Sequence, residues 1–153
     1  MREILFRGKC TDTGKWYEGR YIHLHKTTYC FKEDYEKNPD NDIHQIVFEQ
    51  MTDWCLPNRH LRVGVIPETV GQYTGLTDDK NGKKIFEGDI VAVYVKGCRT
   101  ICTVSWAETV AHFQLWQINT IPGTPTALNL GNYDCEVIGN IHDNPELLKG
   151  GAE

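Results

Sequence analysis

The sequence predicts a mainly β, β-rich α+β protein whose architecture contains a barrel. Three observations predict it. Short runs of alternating apolar and polar residues recur along the chain, separated by glycine-bearing turns. Asn81-Gly82, the strongest short hairpin signal in the chain, lies between two such runs. A helix signal of barely more than one turn stands at the C-terminal end, where Asn144 can cap, Pro145 takes the first helical position and Gly150 marks the stop.

In chain order, residues 2–9 set Ile4 and Phe6 against Glu3, Leu5 and Arg7 and read as a strand ending at Gly8. Asp12-Thr13-Gly14-Lys15 is a turn, and residues 16–25 form the second strand of a hairpin, with Tyr17, Gly19, Tyr21, His23 and His25 on one face. Residues 27–31 are a short β-rich run, and residues 32–42, charged and without periodicity, read as a mobile loop. Residues 42–50 carry Ile43, Ile46, Val47 and Phe48; their β-branched content favours a strand, with a helix as the alternative their spacing also allows. In residues 52–58, Trp54 and Leu56 are expected to anchor packing, and residues 61–66 read as a strand stopped by Pro67.

From Gln72 to Val93 runs the stretch that organises the chain. Asn81-Gly82 predicts a type I′ turn, Gly75 and Gly88 mark bends, and Ile85, Phe86, Ile90, Val91 and Val93 face a core. Lys96-Gly97 is a turn. Residues 100–106 and 112–118 alternate as strands, residues 120–126 form a loop around Pro122-Gly123, and residues 127–130 and 135–141 are the last strands. With 153 residues the chain makes one domain or two small lobes sharing a core, residues 1–66 and 67–153.

Composition narrows the function classes. The net charge of −5 gives no bulk attraction to nucleic acid or to an anionic membrane. Neither half is basic: up to Gln72 there are 10 basic and 11 acidic residues, and from Tyr73 onward 6 and 10. No apolar run reaches the roughly 18–20 residues of a membrane span, and no signal-peptide core is read, so a cytoplasmic location is expected. The six cysteines are scattered without a Cys-x-x-Cys pair, and in a reducing compartment they are expected to be free and mostly buried.

Three blocks in order carry a resemblance: Ile4-Leu5-Phe6-Arg7; Tyr73-Thr74-Gly75-Leu76 through Asn81-Gly82-Lys83 and Ile85-Phe86-Glu87-Gly88-Asp89; and Ile138-Gly139-Asn140-Ile141 through Asn144-Pro145-Glu146-Leu147. Together they resemble the YopX family of bacteriophage and prophage proteins, with one extra residue ahead of Asn81; residues 26–66 and 106–134 carry no part of the likeness. The resemblance implies an SH3-like barrel in the C-terminal half, a phage or prophage origin in a bacterial host, and no established reaction.

Candidate chemistry is sparse. His23-x-His25 places two imidazoles on one strand face, a spacing used for zinc or iron, with Cys30, Cys55 or His60 as conceivable third ligands; a partly exposed strand face is the stronger reading, so no metal or other cofactor is expected. Asp78, Asp79, Glu87 and Asp89 crowd the glycine bends, where carboxylates fix turns by accepting backbone N–H groups. Ser105, His112 and Glu108 lack the setting of a nucleophile elbow, and no phosphate-binding glycine loop occurs. Lys80, Lys83, Lys84, Lys96 and Arg99 flank two turns near Tyr73, Tyr94 and Trp106, a weak candidate for single-stranded nucleic acid, opposed by the neighbouring acids. The sequence thus predicts a protein without catalytic residues that acts by binding. Aromatic residues on both faces of its strands point to a homo-oligomer, with an unidentified phage or host protein as a further partner and no membrane contact. A nucleic-acid-binding factor is the first alternative, and a metal-dependent enzyme the second.

Overall fold

A computed structural model describes residues 3–149. Among them it contains eleven strands and one α-helix, so the chain is mainly β. It divides into two compact units, one of Ile4–Val70 and one of Gly71–Glu153 with Met1–Glu3.

In the Ile4–Val70 unit, strands β1 (Phe6–Lys9), β2 (Trp16–His25), β3 (Asp42–Gln50) and β4 (Arg59–Gly64) lie antiparallel in the order β4-β3-β2-β1. The β2–β3 register sets Tyr21 against Ile46, His23 against His44 and His25 against Asp42. Directly opposed residues share a sheet face, so one face collects Tyr21, His23, His25, Asp42, His44 and Ile46. The sheet coils until the end of β1 reaches the segment after β4. Cys10 bridges to Val65 there, and the Ile66 N–H donates to the Lys9 carbonyl at 2.9 Å. Cys10, Ile46 and Val65 are its buried apolar residues.

Between β2 and β3 the chain departs from the expected mobile loop. Helix α1 (Lys32–Lys37) and a 3-10 turn (Pro39–Asn41) occupy it. The helix buries no residue, so it has no apolar stripe that periodicity could detect. It is held instead by local bonds, with the Asn38 amide donating to the Asp34 carbonyl at 2.8 Å and the Tyr35 hydroxyl accepting from the Tyr29 N–H at 2.9 Å. The expected β-run at residues 27–31 is absent for a related reason. Asn41 accepts from the Thr27 N–H at 2.8 Å and donates to its carbonyl at 2.9 Å, taking the groups a ladder would use. Trp54 and Leu56 do not anchor packing, for they stand exposed at the tip of the β3–β4 hairpin.

In the second unit β5 (Gly71–Thr77) and β6 (Lys84–Phe86) form a hairpin. Strands β7 (Asp89–Val95), β8 (Cys98–Ala107), β9 (His112–Gln117) and β10 (Ala127–Asn129) then meander, and β11 (Glu136–Asn140) returns to pair with β7. The order is β10-β9-β8-β7-β11, so β10 and β11 are opposite edges and hydrogen bonds do not close the sheet into a barrel. Alternation sends Val91, Val93 and Val95 of β7, Cys102 and Val104 of β8, and Phe113 and Leu115 of β9 into one core with Ile85, Leu128, Leu130 and Cys135.

The Asn81-Gly82 turn is not type I′. Gly82 has φ 64°, but Asn81 is not among the residues with positive φ, and a type I′ turn needs both. Six residues separate β5 from β6, and Asp78 organises them in place of a two-residue turn. The terminal helix is a 3-10 segment, Pro145–Lys149, entered by a bond from the Leu147 N–H to the Asn144 carbonyl at 3.1 Å. The expected stop at Gly150 lies outside the described residues.

Candidate functional site

The densest chemistry lies on the β2–β3 face of the Ile4–Val70 unit. Because β2 and β3 pair in register, the two strand-alternate pairs His23/His25 and Asp42/His44 meet as a block of four. The rings of His23 and His44 stack at 4.5 Å between centroids, nearly parallel, and His25 meets His23 edge-on at 5.1 Å. Asp42 Oδ1 lies 2.7 Å from His25 Nδ1 and 3.6 Å from His23 Nε2. These contacts, hydrogen bonding to His25 first, hold the Asp42 carboxyl below the usual carboxylate range.

Aromatic neighbours brace the block at both ends. Tyr21 Oη lies 2.5 Å from His44 Nδ1, which leaves Nε2 as the ring's other polar atom. Burial, and then the negative charge of Asp42, push the Tyr21 phenol above its ordinary value, so it stays a hydroxyl. Phe6 packs on Tyr21 at 5.7 Å. At the other end Tyr35 of α1 meets His25 edge-on at 5.0 Å. Asp42 and His44 also line an open cleft of about 630 Å³ with Lys26, Asp40 and Gln45. The sequence indicated His23 and His25 but not their partners. Of the third ligands expected, Cys30 and Cys55 are exposed outside the strands, and His60 lies on β4 opposite Glu49. The signal that finds Asp42 and His44 is a second His/Asp pair at strand spacing on the neighbouring strand, readable once the register is known.

The other candidates belong to the Gly71–Glu153 unit. Lys80 forms an ion pair with Glu136 at 2.6 Å, Lys84 stands over the Tyr73 ring at 5.7 Å, and Lys96 donates to the Gly123 carbonyl at 2.9 Å. Arg99 lies opposite Tyr94 on the β7–β8 ladder, and Lys83 is exposed in the β5–β6 loop. His112 Nδ1 contacts the Val110 carbonyl at 3.1 Å and its Nε2 contacts Gln114 at 3.3 Å, so both ring nitrogens have partners other than Ser105.

The acids of the central motif serve its turns. Asp78, 1 % exposed, accepts from the N–H groups of Lys80, Asn81 and Val137 at 2.6, 3.0 and 2.9 Å and from the Asn81 amide at 3.0 Å. Burial pushes its carboxyl up, but those bonds prevail and hold it at about 2. Asp89 accepts from the Phe86 N–H at 2.7 Å, and Asp79 from the Cys135 N–H at 3.3 Å. All six cysteines are free, three buried (Cys10, Cys102, Cys135) and three exposed (Cys30, Cys55, Cys98). Burial raises Cys102 to about 11 and, with the charge of Asp79, Cys135 to about 12. No helix of the described residues is long and apolar enough to cross a membrane.

Among solved structures the chain is similar to protein EF1440 from Enterococcus faecalis, at 21 % identity and a TM-score of 0.47, covering 97 % of this chain and 99 % of that one. No curated protein matches it. The YopX protein family matches residues 5–149, nearly the whole chain, and takes in the central turn, the β2–β3 face and the final 3-10 segment alike; the chain belongs to the YopX family.

Proposed function

We propose that this protein is a non-catalytic binding protein that self-associates through the tip of the β3–β4 hairpin, encoded by a phage or prophage and working in the cytoplasm of its bacterial host. The observation that carries the reading is the tip itself, where Met51, Trp54 and Leu56 are 84 %, 93 % and 60 % exposed. Three large apolar side chains within six residues contribute almost nothing to the fold they hang from, and surfaces of this kind mark interaction sites. Charge supports a second copy as the occupant. Glu49 of β3 and Arg62 of β4 lie on one face of the hairpin, with Asp53 in the tip, so a twofold pairing can set the acids of one copy against the bases of the other. The phage or prophage origin rests on the family, and the six free thiols fit a reducing compartment. The open meander with a strand returning to its first member fits an SH3-like arrangement of the second unit.

Sedimentation equilibrium across a hundredfold concentration range tests the reading. The expected result is a dimer that Met51→Ser/Trp54→Ser converts to monomer with an unchanged far-ultraviolet circular dichroism spectrum. A single species at the 17.5 kDa monomer mass throughout would remove self-association.

A further inference from the structure

We propose that His23, Asp42 and His44 form a binding site for one divalent transition-metal ion of the zinc, cobalt or nickel type. One ligand atom from each lies within 4.8 Å of the other two. Ligands at the ordinary 2.0–2.1 Å from a tetrahedral ion stand about 3.3 Å apart, and His23 Nε2 and Asp42 Oδ1 are already at 3.6 Å. The remaining approach is small side-chain rotation, because all three residues project from one face of two paired strands whose register fixes their backbones.

Three further features suit a metal rather than a chance group of polar side chains. Two imidazoles and a carboxylate are the donor set that borderline divalent ions prefer, with no thiolate to draw a softer ion. Tyr21 holds His44 Nδ1 at 2.5 Å, which fixes the ring and leaves Nε2 as the nitrogen for a metal, the outer partner a ligating histidine ordinarily has. His25 plays the same part for the carboxylate, bonding Asp42 Oδ1 at 2.7 Å, and Tyr35 backs His25 in turn. His23 and Asp42 are 43 % and 40 % exposed in their side chains, so an ion has a path from solvent and keeps positions for water or a fourth ligand. The site does not depend on the hairpin tip, because none of its three ligands lies in residues 51–58.

Titration of the full-length, untagged protein with Co²⁺, read by visible absorption and by isothermal calorimetry, tests the assignment. The expected result is one ion per chain, displaced by Zn²⁺, with the d–d bands of nitrogen and oxygen ligation and no intense near-ultraviolet sulfur-to-cobalt band. His23→Ala and His44→Ala are each expected to weaken binding at least tenfold, and His60→Ala to leave it unchanged. Because His44 is half-buried, His44→Gln with an unchanged circular dichroism spectrum serves as the folded control and is expected to weaken binding equally. A sulfur-to-cobalt band would place the ion on the exposed thiols of Cys30, Cys55 or Cys98 and overturn the proposal. So would binding that survives the His23→Ala/His44→Gln double variant, or no binding at 100-fold excess of Co²⁺ or Zn²⁺.

Discussion

Asp78 shows how much one buried charge can organise. Its two oxygens accept four hydrogen bonds, three of them inside the loop that joins β5 to β6 and one from Val137, 59 residues further along. The folded carboxyl titrates at about 2 and the unfolded one at about 3.9. A depressed folded value means that the stabilisation is complete above about pH 4 and is lost as pH falls toward 2. Asp78→Ala leaves buried N–H groups unpaired and should cost about 2–3 kcal/mol at neutral pH. Asp78→Asn should also destabilise, since an amide presents a donor where only acceptors fit. It should in addition flatten the fall in melting temperature between pH 4 and pH 2. An Asn variant with the wild-type acid profile would show that Asp78 is not the group responsible. The local half of this role was legible, because an aspartate beside a glycine bend is expected to bind backbone N–H groups. The bond to Val137 was not, since no spacing in the sequence announces a partner brought in by the return of β11.

At the scale of elements, β2 runs over Trp16–His25, where its side chains alternate, and β3 over Asp42–Gln50, where β-branched content rather than alternation announces it. Helix α1 was illegible because it buries nothing. The His23/His44 pairing was illegible because it belongs to the register between strands and not to either strand. Glycine separates two kinds of constraint. At Gly19 a Cβ would lie 2.2 Å from the Val47 carbonyl oxygen and 2.9 Å from Ile46 Cγ2, so the β2–β3 contact itself requires glycine. At Gly82 a Cβ meets nothing within 4 Å, and only its φ of 64° resists substitution. Gly19→Ala should therefore push apart the strands that carry the histidines, costing about 1–3 kcal/mol, and should perturb the His23 and His44 ring resonances. Gly82→Ala should cost about 1 kcal/mol and leave those resonances in place. Equal spectral changes in both variants would contradict the assignment of Gly19 to the β2–β3 contact.

For the whole molecule, the decisive quantity is where apolar side chains leave water. The core cluster, from Ile85 to Cys135, draws entirely on the Gly71–Glu153 unit, with Val91, Val93 and Leu115 at no detectable exposure. The Ile4–Val70 unit buries Cys10, Ile46 and Val65 and spends most of its aromatic supply on half-exposed ladders such as Tyr17 on Phe48. Burial contributes about 25 cal/mol for each Å² of apolar surface, so the two units have different resistance to opening. Amide hydrogen exchange should resolve the difference. The slowest amides are expected in β7 and β8, those of β2 and β3 should be intermediate, and those of α1 and residues 51–58 should exchange first. Slowest exchange in β2 and β3 would mean that the rings and imidazoles of that face stabilise it more than their burial implies. The tip adds a second reading from the same measurement. If Trp54 packs against another copy, protection of residues 51–58 should rise with protein concentration while β7 and β8 stay constant. The rise should vanish in Trp54→Ser, because removing one exposed indole takes away the contact without touching a buried residue.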